Sequence, residues 1–314
     1  MDEKEYIESR GFNINSLRPL HKIIKLGPSL KPSETYSTDK PMFYAVKRGN
    51  NEDSIDMQLL KQAESLGVEF KLCKSMSFKD ADIIATGARF MNGMGYGHHY
   101  SNVNIDDEAI IFLLGDKYAP KGYAYAIPYG KNEVSIVVTS FEPTSFNQMP
   151  SFFKRLVEEV PTFSKLVDGA DKGPAFAKIG FFNIPNTAQI NKRLIVGEAA
   201  GFVEADRGFG MHYALESGFL SGQALSEGKD YDQLWKASFR SQLLKAFRRR
   251  LALNRLNDSH YDKLINAGAK MSIDEYMKYK KAQNKNIAKQ FLLDIYTMNE
   301  VAKLRRKFNI IDFD

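Results

Sequence analysis

The sequence predicts an α/β (α+β) chain made of an incomplete Rossmann-like domain, an antiparallel-sheet domain and a helical C-terminal region. Three observations predict it. In the run Arg193-Leu-Ile-Val-Gly-Glu-Ala-Ala-Gly201 a short apolar strand ends at Gly197 and Glu198, and Gly208 and Gly210 then open a helix that starts with Met211. Between Tyr96 and Phe141, the segments Ala109-Ile-Ile-Phe-Leu-Leu, Gly122-Tyr-Ala-Tyr-Ala-Ile-Pro and Glu133-Val-Ser-Ile-Val-Val alternate as antiparallel strands do. From Tyr231 onward the apolar spacing is almost wholly helical.

The elements follow in order. A short helical pattern opens the chain, Leu20-His-Lys-Ile-Ile-Lys-Leu26 reads as a strand, and the stretch bearing Pro28, Pro32, Ser33, Thr35 and Ser37 reads as a loop. Phe43-Tyr-Ala-Val46 is a strand. Ser54 to Leu66 is a helix with Ile55, Leu59, Ala63 and Leu66 on one face, closed by Gly67, and the alternation in Val68-Glu-Phe-Lys-Leu72 predicts a further strand. Asp82-Ile-Ile-Ala-Thr-Gly87 is a strand entering a small-residue turn. A helix covers Ser151 to Glu159, a connecting piece runs from Phe176 to Ile184, and Ser272-Ile-Asp-Glu275 has the form of a capping box. The domain boundaries expected from this order are 1–95 for the partial Rossmann-like domain, 96–185 for the sheet domain, 186–228 for the return to the first domain and 229–314 for the helical region.

With 43% apolar and 26% charged residues in 314, the chain can bury a substantial core. It has no run of about 18 apolar residues and no basic-then-apolar leader pattern, so the expectation is a cytoplasmic protein. The formal charge of +6 is uneven: Arg240, Lys245, Arg248, Arg249, Arg250 and Arg255 form one cluster and Lys303, Arg305, Arg306 and Lys307 another. Such clusters suit either a solvated helix face or peripheral contact with an anionic membrane surface. A nucleic-acid platform is disfavoured, because Phe239 and Phe247 fit the apolar side of a helix instead of interleaving with the cations. Cys73 is the only cysteine, which excludes an internal disulfide and reads as a small buried hydrophobe. His98 and His99 are adjacent on a strand, point to opposite faces and cannot chelate one metal together. No serine elbow or Walker lysine is present, so hydrolase and nucleotide-triphosphatase chemistry has no support.

The segments Phe43 to Ala63, Ala81-Asp-Ile-Ile-Ala-Thr-Gly-Ala-Arg89, Gly122 to Val137 and Arg193 to Gly218 resemble, in this order, the geranylgeranyl reductase family of FAD-dependent oxidoreductases, within the wider group built like p-hydroxybenzoate hydroxylase. The resemblance implies an FAD-binding fold and reduction of carbon–carbon double bonds in an isoprenoid or other apolar substrate. By position, it implies that Gly197 and Glu198 meet the ribityl chain and that Gly208, Gly210 and Met211 present backbone to the flavin ring; Arg207, unusual for the family at its place, is a candidate for positive charge beside the ring or a surface arginine. It also assigns Arg48, Thr86 and Gly87 to the cofactor side, and Tyr123, Tyr125 and Pro128 to an aromatic substrate-side strand. His212, just inside the helix, is the candidate proton donor. The chain departs from the family pattern at Glu198 (usually Asp), at Ala205 (usually Pro), and at Ser135 and Val137, which replace a glycine pair.

The first βαβ unit of this fold carries Gly-x-Gly-x-x-Gly, which cradles the FAD pyrophosphate. The sequence contains no such run: Gly93-Met-Gly-Tyr-Gly97 lacks the third spacing. Without that unit, the Leu194-Ile-Val196 strand is expected to have an unpaired edge. Three solutions stay open: a partner chain supplies the unit, residues 1 to 20 or the C-terminal helices close the sheet, or the sequence is a fragment. Three functions stay open with them. The first is an FAD-dependent reductase, the second a non-catalytic remnant or subunit completed by a partner chain, and the third a flavin-dependent monooxygenase or halogenase.

Overall fold

The computed structural model describes residues 3–268 and 287–308. In chain order the elements are α1 (Glu3–Ser9), β1 (Arg18–Leu20), β2 (Lys22–Leu26), β3 (Pro32–Tyr36), β4 (Phe43–Ala45), α2 (Ile55–Ser65), β5 (Ile83–Ile84), β6 (Gly93–Ser101), β7 (Ala109–Leu113), β8 (Tyr123–Gly130) and β9 (Glu133–Ser140). There follow α3 (Met149–Glu159), α4 (Pro161–Val167), β10 (Asp171–Gly180), β11 (Gln189–Ile190), β12 (Arg193–Ile195), α5 (Met211–Glu227), α6 (Tyr231–Ser238), α7 (Arg240–Leu253), α8 (Asp258–Gly268) and α9 (Ile287–Lys307). The architecture is α+β, with a mixed sheet and C-terminal helices. Two compact units divide it: unit 1 holds the residues up to Phe70, Met94–Lys178 and the segment from Leu256 that forms α8, and unit 2 holds Lys71–Gly93, Ile179–Arg255 and α9.

Unit 1 is built on a seven-stranded sheet of order β10-β6-β9-β8-β7-β2-β3. β2 and β7 are parallel, while β6–β9, β8–β9, β7–β8 and β2–β3 are antiparallel. Side chains alternate across such a sheet. Ala124, Ala126, Val134, Ile136 and Val138 therefore share one face, where they pack with Met149 and Phe153 of α3 and Phe163 of α4. Gly122 is fixed by close approach, because a Cβ there would lie 2.0 Å from the carbonyl oxygen of Thr139. The helix beginning after Ser54 forms as predicted. Ser54 accepts the Met57 N–H at 3.2 Å, and Gly67 lies just past the end with φ +85°.

Four expectations are corrected in and around this unit. The Pro/Ser/Thr stretch is not all loop, since Pro32–Tyr36 forms β3, the edge strand, with its proline at the first position where no ladder donor is required. Of the predicted apolar face of α2 only Ile55 is buried, and Leu66 is 77% exposed. Instead, Gln58 and Gln62 accept the backbone N–H groups of Asn15 and Asn13. Val68 to Leu72 is not a strand, because no described strand pairs with it, and Cys73 beyond it is exposed instead of buried. The capping box at Ser272 to Glu275 lies outside the described residues.

Unit 2 carries a three-stranded sheet of order β11-β12-β5, with β12 and β5 parallel. The expected open edge at Leu194 is corrected here. Asn191 and Lys192, both at positive φ, turn the chain so that β11 folds back antiparallel on β12. Two successive residues at positive φ suit the twist of a tight hairpin. β12 is thus central, and the open edge falls on β5, where Ile83 is 37% exposed. The core below is aromatic: Trp235 lies 4.8 Å from Phe202 and Phe202 5.0 Å from Phe239, between ring centroids. Phe90, Phe181 and Phe308 form a second group, and the Asn183 side chain donates to the Phe308 carbonyl at 3.2 Å.

Candidate functional sites

In unit 2 the predicted flavin-side loop forms a 3-10 turn over Gly197–Ala200 that ends at Gly201 with φ +79°. A Cβ at Gly201 would sit 2.4 Å from the Asn183 Cβ and 2.6 Å from its nitrogen, so no other residue fits without a shift. The loop is also tied from below, since the Gly197 N–H donates to buried Ser217 at 2.9 Å and the Tyr231 hydroxyl donates to the Ile195 carbonyl at 3.1 Å. Glu198 is half-buried, and one carboxylate oxygen accepts the Phe181 N–H at 3.0 Å. The longer side chain thereby serves the protein's own backbone. Asp206 is buried and paired with Arg249, while Glu204 receives the Tyr213 hydroxyl at 3.2 Å and Arg207 at 2.5 Å. Burial, and then the Glu204 charge, pushes the Tyr213 phenol well above the usual range.

The helix opens as predicted at Met211, with Gly210 at its N-cap and no side-chain cap. Arg207, Gly208 and Met211 are exposed, and His212 is half-buried with its ring 5.5 Å from that of Tyr213. An uncapped helix start leaves backbone donors and the positive end of the dipole available to an electron-rich group. Thr86 and Gly87 follow β5 in the same unit, Thr86 exposed and Gly87 half-buried.

In unit 1 a cavity of about 610 Å³ is lined by Arg48, His99, Tyr125, Tyr129, Ser135, Val137, Phe176 and Lys178, among others. Arg48 is held by a two-pronged bond to Asp56 at 2.8 and 2.9 Å, and the Gly49 N–H donates to the same carboxylate at 2.7 Å. These hydrogen bonds, Arg48 first, hold the Asp56 carboxyl below its ordinary range. Tyr125 shares the cavity with Arg48. Tyr123 packs instead edge-on to Phe112 at 5.7 Å, and alternation along β8 sets Pro128 on the opposite face from Tyr125.

Sequence reasoning did not find the polar pair inside this cavity. The register of β6 against β9 sets His99 opposite Ser135, and His99 Nδ1 and Ser135 Oγ are hydrogen-bonded at 2.6 Å. Phe176 stacks on the His99 ring at 4.7 Å. Desolvation in the cavity, then the Lys178 charge, lowers the His99 pKa and so favours the neutral ring. Burial raises the Tyr129 phenol, with the neighbouring Ser135 hydroxyl pulling the other way. His98, one residue earlier, takes the opposite face, where its Nδ1 is hydrogen-bonded to the Gly173 carbonyl at 2.9 Å.

Over this geometry the chain is similar in structure to a geranylgeranyl bacteriochlorophyll reductase-like protein from Thermoplasma acidophilum. The TM-score is 0.63 at 16% identity, covering 93% of this chain and 84% of that one. The fold is that of the FAD-dependent flavoproteins. A flavin-dependent brominase shares it at TM-score 0.61 and 14% identity, over 97% of this chain and 87% of the other. In sequence the chain is 24% identical over 180 residues to digeranylgeranylglycerophospholipid reductase 2 of Methanothermobacter thermautotrophicus, which is 54% of this chain. It spans 45% of that relative's length. No family model matches the sequence.

FAD is the group this fold implies, and the residues present fit it only in part. The uncapped start of α5, with exposed Gly208 and Met211, fits an electron-rich ring edge. Nothing in the sequence fits the pyrophosphate, because no Gly-x-Gly-x-x-Gly is present.

Proposed function

We propose that the chain is the flavin-ring and substrate portion of an FAD-dependent oxidoreductase acting on an apolar, isoprenoid-type substrate. The pyrophosphate-binding βαβ unit then comes from a segment outside these 314 residues, on the same polypeptide or on a partner chain. The open edge of β5 carries this reading. β5 has β12 on one side and, among the described residues, no strand on the other. The stretch from Leu66 to Met76 also leaves Leu66, Val68, Phe70, Leu72 and Met76 exposed by 40 to 77%. Parallel strands are normally buried and paired on both sides, and exposed apolar runs of this kind mark surfaces that another segment covers.

When bound, FAD supplies a hydride for a carbon–carbon double bond. The chain's own residues do the rest. Gly210 and Met211 offer backbone donors to the ring, while the Gly208 N–H is taken by the Glu204 carbonyl and the Arg207 charge by the Glu204 carboxylate; Glu198 braces the loop through Phe181. In unit 1, Tyr125, Tyr129 and Phe176 give the cavity an aromatic wall suited to an apolar ligand. His99, tied through Nδ1 to Ser135, keeps a second ring nitrogen without a hydrogen-bond partner among the described residues and sets a polar group in the cavity wall that can orient a ligand.

Capture of the tagged chain from its native cell, followed by an absorbance spectrum, tests the reading. The captured complex is expected to show the flavin bands, and the purified chain alone, given excess FAD, none. Full flavin occupancy in the chain alone would overturn the external cradle; flavin in neither sample would overturn the cofactor. A second reading, oxygen-dependent halogenation or hydroxylation, is favoured by the brominase likeness over nearly the whole chain. Oxygen consumption dependent on substrate and reduced flavin, without saturation of a double bond, is the outcome that selects it.

A further inference from the structure

The two basic clusters of the sequence converge in unit 2. Lys236 near the end of α6, Arg240 at the first residue of α7 and Arg305 in the last turn of α9 line one depression of about 470 Å³ with Pro185 and Asn186. Their charges are poorly balanced. Lys236 lies 3.5 Å from Asp232, but that carboxylate already accepts the Trp235 indole N–H and the Ala188 N–H, each at 2.8 Å. Arg305 donates through Nε to the Ile184 carbonyl at 2.5 Å, which orients the guanidinium without neutralising it. Arg240 has no hydrogen-bond or ion-pair partner among the described residues. It also sits at the N-terminus of α7, where the helix dipole adds positive potential and no side chain caps the turn. Burial, and then the Arg240 charge, lowers the Arg305 pKa. Three cations and a helix start thus surround one depression with, among the described residues, a single, already occupied carboxylate at its margin.

We infer that this depression binds a phosphate oxyanion, and that its source is the headgroup of an anionic phospholipid. Arginine guanidinium groups match phosphate oxygens in pairs, and a lysine adds a point charge beside them. The membrane source follows from the surroundings: Arg306 and Lys307, beside Arg305 on the same helix end, are exposed and face no carboxylate among the described residues. An extended basic surface around a phosphate pocket suits a lipid layer better than a single dissolved ion. This binding does not depend on the flavin reading, and a chain that never takes up FAD would still show it.

Co-sedimentation with vesicles tests it, using phosphatidylcholine alone and phosphatidylcholine mixed with phosphatidylglycerol. The chain is expected to sediment with the mixed vesicles only, the bound fraction falling as salt is raised. Arg240→Gln and Lys236→Gln are each expected to cut that fraction about five-fold, while Lys303→Gln, outside the depression, leaves most of it. Unchanged melting temperatures in the variants establish that they fold. Equal vesicle binding by Arg240→Gln and the parent chain would overturn the pocket. A rise in melting temperature with inorganic phosphate, lost in Arg240→Gln but without any vesicle binding, would overturn the lipid source and assign the site to a soluble phosphate.

Discussion

In unit 1 the pairing between strands extends over long ladders, eight residue pairs between β6 and β9 alone, and the candidate cavity is set by that register. In unit 2 the parallel pair β12–β5 is two residues long, and the loop beyond it is held at single points: Gly201 against Asn183, Ser217 beneath Gly197 and Tyr231 beneath Ile195. The contrast teaches where each site is vulnerable. A ladder spreads the effect of one substitution across many bonds, whereas a loop fixed at points loses its shape when one point fails.

Substitutions can break or sharpen that contrast. Phe163→Ala, in the α4 core of unit 1, removes a fully buried ring and is expected to cost about 3–5 kcal/mol in urea unfolding followed by circular dichroism. Gly201→Ala is expected to cost about 3 kcal/mol, from overpacking against Asn183 and from its positive φ. Trp235 is the only tryptophan and lies in unit 2, so its fluorescence should report this loss directly. An unchanged fluorescence midpoint would refute the point-fixed loop. Tyr231→Phe removes the buried hydroxyl that supports Ile195, for about 1 kcal/mol by the same fluorescence measurement.

Asp56→Asn has the smallest effect, below about 1 kcal/mol at pH 7, because the Arg48 pair is largely exposed. Its sign is definite. The folded carboxyl titrates below the unfolded one, so its contribution is complete above the unfolded value and is lost as pH falls through the folded value. Stability curves of Asp56→Asn and the parent should therefore converge as acid is added; a gap that does not narrow as pH falls below the ordinary carboxylate range would contradict the pairing.

Much of this arrangement was legible in the sequence. Ser54 announced the start of α2, alternation marked β8 and β9, and Gly208 and Gly210 marked the start of α5. Pairing was not legible. Nothing in a single strand reveals that His99 will face Ser135, because register depends on the neighbouring strand and on the turn between them. Composition also misled at Pro32, where proline is tolerated only because β3 is an edge. The alternation of Val68 to Leu72 promised a strand that no partner completes, and the hairpin at Asn191 and Lys192 moved the open edge from Leu194 to Ile83. Arg48 and Tyr125 were named from resemblance, and the cavity they share includes Phe176 and Lys178, which no motif distinguished.

The aromatic group of Phe90, Phe181 and Phe308 sets an order of events during synthesis. Phe90 and Phe181 emerge from the ribosome well before Phe308, and Asn183, which anchors Gly201, finds the Phe308 carbonyl only once that residue has been made. At bacterial and eukaryotic rates of translation the interval between Phe90 and Phe308 is on the order of 10 to 40 s. The strands of unit 1 have all been made by Gly180, so its sheet can form during that interval. Phe90 and Phe181 spend it without their last partner, so their ring surface stays uncovered by Phe308 until that residue is made.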